Sequence, residues 1–384
     1  MSKYFYPSLL SIVLFMVTFA VNLQTPLYSV YAKESNIGST GVTIAFAAYV
    51  AGLLPTLFFL GGLSDRIGRR LPIIMSLLLC VSATALLVVL PSWGSLFIAR
   101  LLLGIGTGLV TTSGAAYMSE LLDKNDERFA TLLVASSTSL GFSGGALATS
   151  FSLSLHGPSL MPASFIILFI SVPILAIAFF KMPRVDTLKN VPLFRLPIFP
   201  PNTWLYGLSM TLAWATTGMI IAIVPLELKN LQLDNWTGLV IFLAIFVGFL
   251  CQPIARKMNN ANALVLGAIL IPIGFIIIVL GVWLQSLSLI LLGSAITSSA
   301  SYGFTYLSAL SEFGSRAPNN KARATAGLFI YAYLGFSVPV VASGALADML
   351  GLLPAMIVFS ITIIIATIII LSFCYRRKQY ILEF

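Results

Sequence analysis

One short stretch reads Gly61, Gly62, Leu63, Ser64, Asp65, Arg66, Ile67, Gly68, Arg69, Arg70. Glycines permit a tight turn and a close approach of helices, and a carboxylate among guanidiniums can form charge-assisted hydrogen bonds that break when the elements holding them separate. The bland alternative is a basic anchor at a membrane surface. Arg100 stands alone inside an apolar run, followed by Gly104, Gly106 and Gly108. A buried arginine is expensive without water or a partner, which makes Arg100 a functional candidate; snorkelling to the headgroups is the competing account. Asn22 and Gln24, beside Pro26, supply amides that could join helices or contact a solute. Gly141, Gly144 and Gly145 provide small surfaces for close helix packing.

The residues that would make an enzyme do not assemble. Cys80, Cys251 and Cys374 sit singly in apolar stretches, and His156 is the one histidine, so neither a metal set nor a catalytic cysteine or histidine arrangement emerges. The Gly104, Gly106, Gly108 run copies part of a dinucleotide loop, but no strand precedes it. No metal and no cofactor is expected. All twelve acids fall in loops or at the ends of apolar runs. Any proton site must therefore use an end-of-helix acid such as Glu120, Glu227, Glu312 or Asp348, or use Arg100 acting through a bound solute.

The elements that must position these residues follow from composition. Of 384 residues 59% are apolar and 9% charged, with mean hydropathy +1.02, far from the roughly 45–50% and 25% of a soluble domain. A membrane span takes about 20 apolar residues, so twelve would use about 240. Apolar runs fall near 8–31, 40–62, 71–90, 94–118, 128–153, 162–181, 203–226, 236–255, 262–283, 286–309, 322–347 and 351–375. The first is read as a span rather than a cleaved signal, because no small-residue cleavage pattern follows it.

Charge supports that count. With the N-terminus placed inside, the 21 Lys and Arg all fall in inner segments except Lys33, Lys229 and Arg100, as the positive-inside rule requires. Both termini are then cytoplasmic. The net charge of +9 is spread over short clusters and forms no polar face for nucleic acid. A proline-rich inner stretch carries Pro183, Pro192, Pro197, Pro200 and Pro201, which divides the chain into 1–181, a linker 182–202, and 203–384. The two parts repeat weakly. Ala130-Thr131 and Leu140-Gly141-Phe142-Ser143 recur as Ala324-Thr325 and Leu334-Gly335-Phe336-Ser337, while Phe59, Leu60 and Arg66 recur as Phe249, Leu250 and Arg256. Ala255 stands where the repeat would place Asp65. The fold class is an all-α membrane protein with twelve transmembrane helices in two pseudo-symmetric six-helix bundles.

The stretch from Gly61 to Arg70 resembles the signature between helices two and three of the major facilitator superfamily: Gly, three residues, Asp, Arg, one residue, Gly, Arg, Arg. Helix count, central linker and pseudo-repeat extend the resemblance over the whole chain. It implies alternating access around a central cavity. Asp65 would face the start of helix eleven, and Arg69 would bridge to Glu120 at the end of helix four, with Gly61, Arg66, Gly68 and Arg70 completing a gate that favours the outward-facing state. Arg100 with Gly104 and Gly108 is similar to the helix-four motif, whose arginine is linked to proton or substrate coupling. Gly144 and Gly145 match the antiporter motif of exporting members, but Leu140 and Gly141 occupy its Gly and Pro places.

That resemblance, to bacterial drug/proton antiporter-like members, implies a monomeric secondary transporter of the bacterial inner membrane that exports drugs or small amphipathic compounds in exchange for protons. Uptake of a sugar or organic acid is the alternative. Arg100, Asn22, Gln24, Tyr302, Tyr306 and Tyr331 are the candidate substrate or coupling residues. Trp214 and Tyr333 are further aromatic candidates, whereas Trp204 and Tyr206 read as belt residues. The partners are a small-molecule substrate, protons and membrane lipid. Without a nucleotide-binding loop, ATP is not the direct driver.

Overall fold

The computed structural model describes residues 4–122, 126–183, 193, 194 and 196–382, apart from the side chains of residues 127, 128 and 377–382. Those residues form helices and connections, with no strand among them. Eleven helices among them are long and apolar enough to cross a membrane: α1 Phe5–Glu34, α2 Ser39–Phe59, α3 Arg70–Val89, α4 Trp93–Leu121, α5 Phe129–His156, α7 Trp204–Asn230, α8 Asp234–Ala255, α9 Asn260–Trp283, α10 Leu287–Ser315, α11 Pro318–Leu350 and α12 Leu352–Arg376. A shorter apolar helix, α6 Ala163–Phe179, falls between α5 and α7. Its 17 residues rise about 26 Å at 1.5 Å each, a little under a hydrocarbon core of about 30 Å.

The expected spans meet these helices one for one. The largest departure is at the end of α10, which runs on to Ser315, with Glu312 and Arg316 paired one turn apart at its polar end. Part of the expected linker falls on residues outside those described, including Arg184, Lys189, Pro192 and Arg195. Lys3 and Lys124 lie outside them as well.

The chain forms two compact units, Met1–Asn36 with Ile44–Leu196, and Ile37–Thr43 with Pro197–Phe384. In lipid, helices gain little from burying apolar surface against each other, so close packing and internal hydrogen bonds must hold each unit together. In the first unit α5 lies against α1 through glycines: a Cβ on Gly141 would collide with Thr18 Oγ1 and the Phe15 carbonyl oxygen, and one on Gly145 with the Phe19 carbonyl. Helix α4 approaches α2 in the same way, with Gly104 against the Tyr49 carbonyl and Gly108 against Thr56. The second unit repeats the first contact. Gly335 of α11 sits on the Thr211 carbonyl of α7, as Gly141 of α5 sits on Thr18 of α1.

Both leading helices are interrupted near a proline, which lacks a donor and cannot continue the ladder. Helix α1 passes through a 3-10 turn at Thr25–Leu27, and α7 breaks at Ile223, ahead of Pro225. Helix α10 carries a π-helical turn at Ser299–Thr305.

Candidate functional site

The stretch from Gly61 to Arg70 folds as a short helix, Leu63–Ile67, closed by Gly68 at φ 88°. A side chain is strained in that left-handed region, and this accounts for a glycine between Ile67 and Arg69. The turn places Arg69 at the head of α3, where it joins three side chains. Its guanidinium donates to Ser64 Oγ at 2.8 Å, to Asp65 Oδ1, and to Glu120 Oε1 at the end of α4 at 2.6 Å through Nη2 and 3.0 Å through Nε. Asp65 is 9% exposed and Arg69 14%. Burial would lower the Arg69 pKa, but the hydrogen bonds and negative charges of Glu120 and Asp65 outweigh it and hold that pKa above the ordinary arginine value. Arg69 is thus a permanent cation between two acids.

Arg70 turns the other way. Its Nη1 donates to the carbonyls of Phe180, at 2.6 Å, and Met182, at 2.8 Å, at the end of α6. Gly61 is buried and Arg66 is exposed. Backbone closes the loop further, since the Gly62 N–H donates to the Leu193 carbonyl at 3.2 Å.

The second unit holds a related arrangement without the first cation. Asn260 Nδ2, at the start of α9, donates to Glu312 Oε2 of α10 and to Ser311 Oγ, both at 3.1 Å. Arg316 pairs with Glu312 at 2.6 Å. Asn260 thus bonds Glu312 as Arg69 bonds Glu120, although the spacing that carries Arg66 to Arg256 carries Arg69 to Asn259 and Arg70 to Asn260.

Arg100 is 1% exposed, which excludes snorkelling. It is not turned to solvent, and its partners lie within the protein. Nη1 donates to the Val21 carbonyl at 2.8 Å and Nη2 to the Phe46 carbonyl at 3.4 Å. The guanidinium carbon lies 5.0 Å from the Phe46 ring centroid and 4.9 Å from that of Tyr49. Ring faces and carbonyl dipoles substitute for a carboxylate. The interruption of α1 supplies the site, because the Val21 carbonyl also accepts from Gln24 Nε2 at 2.9 Å.

Asn22 donates to the Phe142 carbonyl of α5 at 2.7 Å. Asn22 and Gln24, at 3% and 1% exposure, are thus engaged within their own unit. Sequence alone left interhelical bond and solute contact open for these amides; Asn22 bonds across to α5, whereas Gln24 bonds within α1.

The aromatic candidates separate. Tyr331 packs among Gly207, Phe199 and Phe313, with ring centroids 5.7 and 6.4 Å away. Tyr302 instead meets Trp214, whose other neighbours are Tyr333 and Phe336. Tyr306 lies just beyond the π-helical turn, half-buried. Phe336 was legible only as part of the repeated Leu-Gly-Phe-Ser run.

The end-of-helix acids all have partners: Glu227 accepts from Asn230, and Asp348 accepts from the N–H groups of Ser39 and Thr40. Gly144 differs from its neighbours, with nothing closer to an added Cβ than the Phe19 ring at 3.8 Å.

Residues 10–338 match the family model described as Major Facilitator Superfamily. Over 122 residues the chain is 31% identical to the inner membrane transport protein YnfM of Escherichia coli (strain K12), covering 32% of this chain and 29% of that protein. Over 102 residues it is 31% identical to the multidrug resistance protein MdtL of Vibrio parahaemolyticus, covering 27% and 25%. The chain thus aligns with less than a third of the length of these curated relatives. Among solved structures, the nucleoside transporter NupG superposes with TM-score 0.79 at 11% identity over 95% of this chain and 98% of that one. A bacterial homologue of the human lysosomal transporter Spinster, inward-facing and unoccupied, gives 0.76 at 13% identity over 97% of each. At these identities the likeness is one of fold.

Proposed function

The chain belongs to the major facilitator superfamily, and from that premise we propose that it exports drugs or other small amphipathic compounds in exchange for protons, alternating between inward-open and outward-open states. Membership makes it an integral membrane transporter of a small-molecule substrate rather than an enzyme. The observation that carries the export reading is the similarity to multidrug resistance proteins named MdtL, from Vibrio parahaemolyticus and, at 36% identity over 90 residues, from Shewanella sp..

The ion-paired group of Asp65, Arg69 and Glu120 supplies a device for the cycle. A doubly paired guanidinium in partial burial is worth more than a surface pair, and it favours the state in which the loop stays docked on α4. Arg100, Asn22 and Gln24 then act by fixing the broken part of α1, and reach the substrate through that helix. The protein works as a monomer in a bacterial inner membrane with both termini cytoplasmic, an orientation supported by the distribution of Lys and Arg. Uptake of a small metabolite is the second reading, favoured by Leu140 and Gly141 standing where exporting members carry Gly and Pro.

Reconstitution into liposomes with an imposed pH gradient and a pH-sensitive dye tests the proposal, screened with cationic, neutral and anionic amphipathic compounds. The expected result is proton flux that depends on an added amphipathic compound. Accumulation of a sugar or organic acid, with no dye response to any amphipathic compound, would replace export by uptake.

A further inference from the structure

In the second unit Trp214 of α7 is 8% exposed, and its indole Nε1–H is buried without a hydrogen-bond partner. Three rings surround it: Tyr333 at 4.9 Å and 86°, Tyr302 at 5.8 Å and 41°, and Phe336 at 5.9 Å and 65°. A buried donor left unsatisfied is costly, and buried tryptophans normally find an acceptor. Packing alone does not call for this arrangement. The offsets that carry Thr18 to Thr211 and Gly141 to Gly335 also carry Val21 to Trp214, Ser139 to Tyr333 and Phe142 to Phe336. The first unit makes the same helix crossing with one ring of the three.

Tyr302 is held in place by dedicated bonds. It sits inside the π-helical turn of α10, a feature that commonly marks functional sites because it strands a backbone carbonyl and re-aims a side chain. Ser301 Oγ donates to the Ala213 carbonyl at 2.9 Å, pinning the turn beside Trp214. Gln252 Nε2 of α8 donates to the Tyr302 carbonyl at 3.4 Å. Of the four aromatic residues only Tyr302 is not buried, so its ring is the one that can turn away from Trp214 at the least cost in packing.

We infer that Trp214, Tyr302, Tyr333 and Phe336 form a recognition site for planar aromatic compounds carrying a hydrogen-bond acceptor, which displaces the Tyr302 ring and takes the Trp214 Nε1–H. Stacking on the rings binds the plane of the compound, and the indole donor selects for the acceptor. The inference rests on the export reading for the class of compound, and specifies what the site prefers within it.

The test compares quinoline with naphthalene, which share a shape and differ in one ring nitrogen. Both are radiolabelled, and equilibrium binding to the full chain in lipid nanodiscs is measured with empty nanodiscs subtracted. The wild type is expected to prefer quinoline by about fivefold or more beyond the partition difference. Trp214→Phe keeps a ring and removes the donor, so the preference is expected to vanish while naphthalene binding stays within about twofold. Tyr333→Leu is expected to weaken both compounds alike. A monodisperse Trp214→Phe protein that keeps the quinoline preference overturns the site, and so does a wild type that binds neither compound above background. The measurement needs no gradient and is independent of the transport assay. Trp214-dependent binding without proton flux would overturn export and keep this site, while drug-driven flux without the preference would overturn this site alone.

Discussion

Arg69 and Asn260 take the same part in the two halves of the molecule, each donating to a glutamate near the end of the fourth helix of its half. The first bond joins charges and the second does not. Arg69 is shared between Glu120 and Asp65, so the loop before α3 is tied to α4 by a network that breaks only by separating ions. In the second unit Ala255 replaces the aspartate, Asn260 donates as a neutral amide, and the charge on Glu312 is met by Arg316 one turn on, at the cap of the same helix. A pair confined to one helix survives movement of its neighbours. The duplicated fold therefore holds one interhelical contact between charges, and its counterpart is an interhelical hydrogen bond from a neutral amide.

Arg69→Ala should sharpen that contrast most. It removes the only cation bonded to both Asp65 and Glu120 among the contacts described, and transport in proteoliposomes is expected to fall by more than about tenfold, equivalent to ~1.4 kcal/mol on the rate-limiting barrier. Asp65→Asn should act in the same direction with membrane insertion intact. Wild-type rates at normal expression would remove the ion-paired group from the mechanism.

The glycine contacts come next, and there the two halves should agree. Gly141→Ala and Gly335→Ala each force a Cβ onto the facing helix and should destabilise by ~1–3 kcal/mol, read as a lowered thermal unfolding midpoint in detergent. Gly144→Ala, with its nearest neighbour at 3.8 Å, should stay within about 0.5 kcal/mol of the wild type. A loss at Gly141 but not at Gly335 would break the packing symmetry. The smallest effect belongs to Glu312→Gln. Asn260 retains an acceptor there, and the partly exposed Arg316 loses a pair worth about 0–1 kcal/mol, so transport should change by less than about twofold.

The framework was legible because its signals are spread along the chain. Twelve apolar runs, an alternation of Lys and Arg between them, and the Gly61 to Arg70 pattern needed only spacing. The bridge from Arg69 to Glu120 followed from family resemblance. The partners of Arg100 were not legible. They are carbonyls of Val21 and Phe46, and backbone atoms carry no residue identity to read; Pro26 hinted at a broken α1 without saying what the freed groups would meet. The same limit hid the Asn260 to Glu312 bond, since an amide facing an acid has no charge pattern to betray it. Tyr331 and Tyr333 could not be told apart by type, and only the rotation of α11 decides that Tyr333 meets Trp214 while Tyr331 packs beside Phe199. The π-helical turn that aims Tyr302 arises from tertiary bonds to Gln252 and Ala213, outside the reach of local propensity.

The comparison is tested most directly by assaying Arg69→Ala and Asn260→Ala side by side, in proteoliposomes at matched protein density with the same substrate and pH gradient. A single interhelical contact between charges predicts a loss of more than about tenfold for Arg69→Ala and less than about twofold for Asn260→Ala. Equal losses in the two variants would contradict it.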